Sequence, residues 1–271
     1  MSIELAPLWD FDQPHVSELR FQAALAGAHG DDALILQTQI ARTHGLRKDF
    51  AQAQRVLRSI ASDVPSAGAE VRIRHALELG RTYASSMHPP ELQNAQSRAF
   101  ARESFDSALA TARDAGLDGL AIDAIHMLAF VDTAPMDQLK WAQQALAVVE
   151  ASSQADAKRW EASIRNNLGY ALHQLDRFDQ ALVQFQQALA LREQGTSAGP
   201  IRVARWMVAW TLRALGRTDE ALTIQLQLQR DCAAAQEPDQ YVFEELELLY
   251  RAHGDEIEAQ RYAALAKSLS G

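Results

Sequence analysis

Residues 167–189 read Asn167-Leu168-Gly169-Tyr170-Ala171-Leu172-His173-Gln174-Leu175-Asp176-Arg177-Phe178-Asp179-Gln180-Ala181-Leu182-Val183-Gln184-Phe185-Gln186-Gln187-Ala188-Leu189. Two stretches of helical periodicity, with small residues at Gly169 and Ala181, meet at a polar turn around Asp176. The same beat returns as Ala209, Leu215-Gly216-Arg217 and Ala221-Leu222, and again as Leu249-Tyr250, His253-Gly254-Asp255, Ala259 and Ala266. The alanines at 181, 221 and 259 lie 40 and 38 positions apart. Self-similarity at such a period marks stacked helical hairpins, because one hairpin cannot bury its apolar face alone. A stack of hairpins leaves an extended surface, and such surfaces usually bind other proteins.

Composition agrees with a soluble helical array. The chain has 271 residues, 48% of them hydrophobic, which is ample for a core. A formal net charge of -9 repels nucleic acid and anionic membrane, so neither is expected as a partner. Charges of both signs are interspersed, with no basic tail. A lone Cys232 excludes a disulfide framework and a cysteine-rich zinc site. Residues 1–7 lack a basic region and a long apolar run, so no signal peptide is read there. No run of apolar residues is long enough to span a membrane. A cytoplasmic location is expected, and the excess of Arg over Lys, with abundant Ala, suggests a bacterial source.

Helical periodicity extends outward over residues 14–269. Leu8, Trp9 and Phe11 precede it and are expected to dock on the first helices, since large apolar groups are costly in water. Asp12 or Gln13 can cap a helix with Pro14 in its first turn. Residues 1–30 read as an N-terminal segment and capping helix, and 31–271 as the repeat domain. A long helix is expected over 91–115, with Phe100, Phe105, Ala108 and Leu109 on its inner face, and single helices over 156–175 and 178–194. Met87-His88-Pro89-Pro90 is a break.

Residues 162–194 resemble a tetratricopeptide repeat, carried by Asn167-Leu168-Gly169, Leu175 to Leu182, Phe185 and Ala188-Leu189. In that pattern Gly169 and Ala181 are the small residues where two helices cross. Phe185 and Ala188 pack on the next unit, and Leu175 and Phe178 close the turn. The best-matching repeats are 162–195, 201–234 and 240–271. The second has Gln225 where an aromatic is common. Residues 37–60 keep Lys48-Asp49-Phe50 and Ala53, whereas 69–115 and 119–151 depart most. The resemblance implies an all-α, right-handed superhelix (a solenoid) of about six hairpins. It implies a role scaffolding complexes or holding a peptide in a concave groove.

In a stack of this kind the first helix of each hairpin lines the groove. With Gly169 as the buried reference, helical spacing places these groove residues: Arg74, Arg81, His126, Asn166, Tyr170, His173, Trp206, Trp210, Arg213 and Arg251. Arg, Trp and Tyr dominate binding hot spots, and Arg grips carboxylates bidentately. The expected guest is a peptide or helical segment of acidic and apolar character. Against this stand plainer readings. Trp206 and Trp210 can pack between hairpins, Arg74, Arg81 and Arg213 can pair with nearby acids, and His126 can be a hydrogen-bonded core residue.

Chemistry beyond binding has little support. There is no Gly-rich phosphate loop, His-Glu-x-x-His or Gly-x-Ser-x-Gly, and Cys232 has no adjacent base. The remaining histidines show no metal-ligand spacing. No catalysis, cofactor or metal is expected. His44 and His253 fall at helix C-termini, which favour a charged imidazole. Some relatives clamp a C-terminal carboxylate with Lys, Asn and Arg; Asn166 and Asn167 are present, but no lysine lies on the predicted groove. The alternative function is a regulatory sensor of a peptide or small molecule, with a pocket near His126, Arg81 and Asn166. The partner and the oligomeric state are not set by the sequence.

Overall fold

The computed structural model describes residues 3–269. Residues 1 and 2 of the expected N-terminal segment, and 270 and 271 of the expected repeat domain, lie outside the described residues. The described residues form α-helices and three short 3-10 turns, with no strand among them. They cluster into two compact units, Met1–Trp160 and Glu161–Gly271.

The first unit holds α1 (Pro14–Leu25), α2 (Gly30–Leu46), α3 (Phe50–Ile60), α4 (Ala69–Arg81), α5 (Ala95–Asp114), α6 (Asp118–Val131), α7 (Pro135–Ala151) and the short α8 (Ala155–Lys158). Its hairpins are α2/α3, α4/α5 and α6/α7. The second holds α9 (Glu161–Gln174), α10 (Phe178–Arg192), α11 (Ala198–Ala214), α12 (Thr218–Ala235), α13 (Gln240–Ala252) and α14 (Glu256–Leu269), paired in the same order. The fold class is therefore all-α, built of helical hairpins.

One turn recurs. The residue that ends the first helix sits in the left-handed region at Lys48 (φ 64), Asp176 (φ 57), Gly216 (φ 75) and Gly254 (φ 77). Glycine adopts this conformation without steric cost, and Asp tolerates it. The next N–H then reaches back over the helix end. Arg177 N donates to Leu172 O at 2.9 Å, Arg217 N to Leu212 O at 2.9 Å, and Asp255 N to Tyr250 O at 3.0 Å. Otherwise unpaired carbonyls of the first helix are satisfied in this way.

Helix crossing depends on missing side chains. A Cβ added at Gly169 would lie 2.8 Å from the Phe185 ring, and one at Gly80 would lie 2.4 Å from the Phe105 ring. Both rings are fully buried. Phe185 therefore packs over Gly169 within its own hairpin. The α4/α5 hairpin, which departs most from the repeat pattern, repeats the arrangement with Gly80 and Phe105.

Other expectations change in detail. The helix expected from residue 91 starts at Ala95, because Asn94 caps it by accepting from Ser97 N at 2.9 Å. Phe100, expected on the inner face, is 45% exposed and meets the ring of Tyr83. The helix expected over 156–175 is broken at Trp160, whose ring turns toward His126 with centroids 5.6 Å apart. Leu8 and Trp9 dock with Ile3 and Leu5 on Phe21, Leu36 and Ile40. Phe11 does not bury itself likewise; it is 59% exposed and lies on Trp9. No helix among the described residues is long and apolar enough to cross a membrane.

Candidate functional site

In the second unit the first helices of three successive hairpins share an aromatic layer. Tyr170 and His173 of α9 stack on Trp210 of α11, with centroids 6.1 and 3.3 Å away. Trp210 stacks on Trp206 at 5.6 Å. Trp206 meets Tyr241 of α13 edge-on at 6.4 Å, and its indole Nε1 donates to Tyr241 O at 3.2 Å. The spacing explains the layer. Residues 206 and 210, and 170 and 173, are one helical turn apart and share a face. Tyr170 is 41% exposed and Tyr241 65% exposed, whereas both tryptophans are half-buried.

Two groups flank these rings. Arg213 grips Glu245 of α13 with two bonds, Nε to Oε2 at 2.7 Å and Nη2 to Oε1 at 2.8 Å. Glu245 is buried, and this fork supplies its charge partner. Burial, reinforced by the charge of Arg213, lowers the His173 imidazole from its ordinary value to about 4. His173 is thus a neutral ring at physiological pH, suited to lie flat on indole, and its Nε2 is buried without a hydrogen-bond partner. Beside Trp206 and Tyr241 opens an apolar cleft of about 320 Å³, with Val203, Met207, Leu228 and Cys232 in its walls. Burial pushes the Cys232 thiol above its usual range.

The first unit carries charge on its first helices instead. Arg42 of α2 pairs with Glu78 of α4 at 3.1 Å, Arg81 joins the same carboxylate at 2.5 Å, and Arg81 also pairs with Asp123 of α6. The chain Arg42–Glu78–Arg81–Asp123 ties three hairpins together. Burial opposes the charged Asp123 carboxylate, but Arg81 and Arg42 outweigh it and hold the group below the ordinary range. His126, on the next turn of α6, is lowered by burial. A pocket of about 180 Å³ is lined by Arg42, Glu78, Arg81, Asp123, His126 and Trp160, among others.

The ten residues singled out from the sequence are thus distributed over both units. Tyr170, His173, Trp206, Trp210 and Arg213 come together. Asn166 lies half-buried on α9, and Arg251 lies exposed at the end of α13, paired with Glu247 at 3.1 Å. Arg81 and His126 share the pocket of the first unit. Arg74 pairs with Glu70 of its own helix at 2.8 Å. Asn166 belongs to the other unit and is not among the pocket's lining residues. Sequence reasoning missed Tyr241, Glu245, Glu78, Asp123 and Trp160. The acids could have been found, because each lies on the first helix adjoining an arginine already placed on the groove.

At the other histidines, His253 is raised by its hydrogen bonds to Leu249 O and Asp219. His44 is lowered, because burial outweighs its acidic neighbour Glu18. The helix terminus alone does not keep His44 charged.

These features define a protein of helical hairpins whose first helices carry a charged network in one unit and an aromatic layer in the other. One repeat is recognised by its sequence: residues 162–195 match the family described as "Tetratricopeptide repeat". No curated protein matches the chain in sequence. Among solved structures, the apo form of RapI superposes with a TM-score of 0.68 at 12% identity, covering 87% of this chain and 82% of RapI. A Pyrococcus horikoshii protein, PH0952, is a signal transduction ATPase with numerous domains and a tetratricopeptide repeat sensor. It superposes with a TM-score of 0.70 at 11% identity, covering 94% of this chain but 38% of that protein. The TPR-like repeats of a putative kinesin light chain from Podosopora anserina give a TM-score of 0.57 at 15% identity, over 77% and 99% of the two chains. The likeness is one of fold.

Proposed function

We propose that this protein is a non-catalytic, cytoplasmic interaction module that holds a peptide or helical segment against its first helices. The observation that carries the reading is the aromatic layer Tyr170–Trp210–Trp206–Tyr241. It is contributed by three hairpins in succession and remains partly open to solvent. Half-covered aromatic rings gain area when a guest covers them, with little loss of side-chain freedom. The adjoining apolar cleft accepts an apolar anchor of that guest. Two donors of Arg213 are committed to Glu245, and its remaining donors are the candidates for a guest carboxylate. Asn166 and Arg251 extend the groove along α9 and α13. Arg74, Arg81 and His126 serve the first unit. In this reading residues 31–271 carry the repeats and residues 1–30 cap them.

The test uses an array of synthetic peptides carrying acidic and large apolar residues, scored by binding to the full chain. Trp206→Ala is expected to weaken the best binders at least tenfold while helicity by circular dichroism is kept. Equal affinity of the variant and the wild type rules out the aromatic layer as the docking face.

A second reading rests on the 180 Å³ pocket around Arg81 and His126, sized for a small polar molecule. A regulatory sensor built on it would show stabilisation by free amino acids or short peptides in thermal-shift measurements, lost in His126→Ala. No shift across such a panel removes this reading.

A further inference from the structure

The pocket of about 180 Å³ in the first unit lies where three first helices end. Among its lining residues, Gly45 and Leu46 close α2, Arg81 closes α4, and Phe130 stands next to the last residue of α6. Helix C-termini carry partial negative charge. The row Arg42, Glu78, Arg81 and Asp123 also lines the pocket. It alternates in sign, with two guanidinium groups against two carboxylates, so its net charge is zero. Glu78 is buried, and the Arg81 side chain is only 12% exposed.

The row does not spend all its bonding capacity on itself. Glu78 Oε1 accepts from Nη1 of both Arg42 and Arg81, and Asp123 Oδ1 accepts from Arg81 Nη2. Arg42 Nη2, Glu78 Oε2 and Asp123 Oδ2 have no hydrogen bond among the described residues. One donor and two acceptors, all on charged groups, thus remain for a ligand. His126 adds no further positive charge at neutral pH, because burial lowers its imidazole. Met87, Met127, Phe130 and Trp160 make the rest of the lining largely apolar. An apolar cavity of about 150 Å³ takes a molecule of benzene's size, so this pocket has room for a side chain such as that of Leu or Met.

We infer that this pocket binds a free α-amino acid with an aliphatic or thioether side chain, its carboxylate on Arg42 and its ammonium on Asp123 and Glu78. The inference rests on the sensor reading of the same pocket and names its ligand; it makes no use of the aromatic layer on α9, α11 and α13. The charge balance selects the class. A ligand of one net charge would leave that charge uncompensated beside a neutral row, and an unpaired charge in a poorly hydrated site is costly. A zwitterion adds no net charge and meets both signs. The helix ends add to the pull on its ammonium. Methionine walls adapt to branched and thioether chains alike.

Isothermal titration of the full chain with L-leucine and L-methionine tests this, with leucinamide, N-acetyl-leucine and leucyl-leucine as comparisons. Both amino acids are expected to bind. Loss of either charge, in leucinamide or in N-acetyl-leucine, is expected to weaken binding at least about tenfold, the scale of one hydrogen bond to a charged group. Leucyl-leucine is expected to bind more weakly than leucine. Arg42→Gln is expected to bind leucine no better than leucinamide, and Asp123→Asn to bind it no better than N-acetyl-leucine; Glu78 and Arg81 keep each other in both variants. If a variant loses helicity by circular dichroism, the ligand comparison on the wild type decides. Equal or tighter binding of leucinamide, N-acetyl-leucine or leucyl-leucine overturns the proposal while leaving a sensor pocket in place. Full discrimination kept in both variants also overturns it. Binding of none of these compounds overturns the sensor reading together with it.

Discussion

At the scale of single residues, two positions decide most about the hairpins. Gly169 has no room for a side chain, because the Phe185 ring occupies the place a Cβ would take. Gly169→Leu is expected to cost on the order of 1–3 kcal/mol by overpacking. An unchanged melting temperature would contradict the crossing. Gln225 occupies in α12 the place that Phe185 holds in α10. It is fully buried, and neither its amide nitrogen nor its oxygen has a partner. An unsatisfied buried polar group costs about 1–3 kcal/mol. Gln225→Met keeps the volume and is expected to raise the urea midpoint; a lower midpoint would contradict the burial. His173 adds a pH dependence. Its folded-state pKa of about 4 lies below the ordinary value of about 6.5. Above pH 6.5 it is neutral in both states and contributes no slope. As pH falls from 6.5 towards 4 the unfolded chain takes up a proton that the fold resists, so stability is lost in that window. His173→Asn is expected to flatten the melting-temperature profile between those pH values. An identical profile in the variant would contradict it. Of these three, the Gly169 crossing and the odd Gln225 were legible in the sequence, because small residues and a missing aromatic stand out against a repeat. The His173 shift was not, because it depends on burial against Trp210 and on the charge of Arg213.

At the scale of elements, the hairpins are tied by ion pairs between successive first helices: Arg42–Glu78, Arg81–Asp123 and Arg213–Glu245. Arg81 and Arg213 were placed on the groove face from helical spacing, and all three arginines spend charge on a neighbouring first helix. This alters what a truncation means. Arg213→Ala strips the buried Glu245 of its partner and is expected to cost about 1–3 kcal/mol of stability as well as any binding. Arg213→Ala/Glu245→Gln is expected to recover part of that cost in a thermal melt. If the double variant is no more stable than the single one, the pair is not what holds Glu245. Helix number and order were readable because turn residues such as Leu215-Gly216-Arg217 punctuate the periodicity. Two boundaries were not. The α5 start depends on which of several polar residues caps it, and only Asn94 meets Ser97 N. The break at Trp160 has neither Gly nor Pro to announce it; its cause is tertiary, the ring turning to meet His126.

At the scale of the whole molecule, the first helices of each unit carry a surface of different chemistry. The first helices of Met1–Trp160 present a charged network, while those of Glu161–Gly271 present partly exposed aromatic rings. The class of function proposed here rests on the repeat, since stacked hairpins expose a long face. The chemistry of each face followed only from which side chains meet across helices far apart in sequence. The most direct measurement is amide hydrogen exchange on the full chain, with and without the tightest peptide from the array. Slowed exchange is expected in α9, α11 and α13, around Tyr170, Trp206, Trp210 and Tyr241. Protection confined to α10, α12 and α14, with the first helices unchanged, would contradict a guest on the aromatic layer.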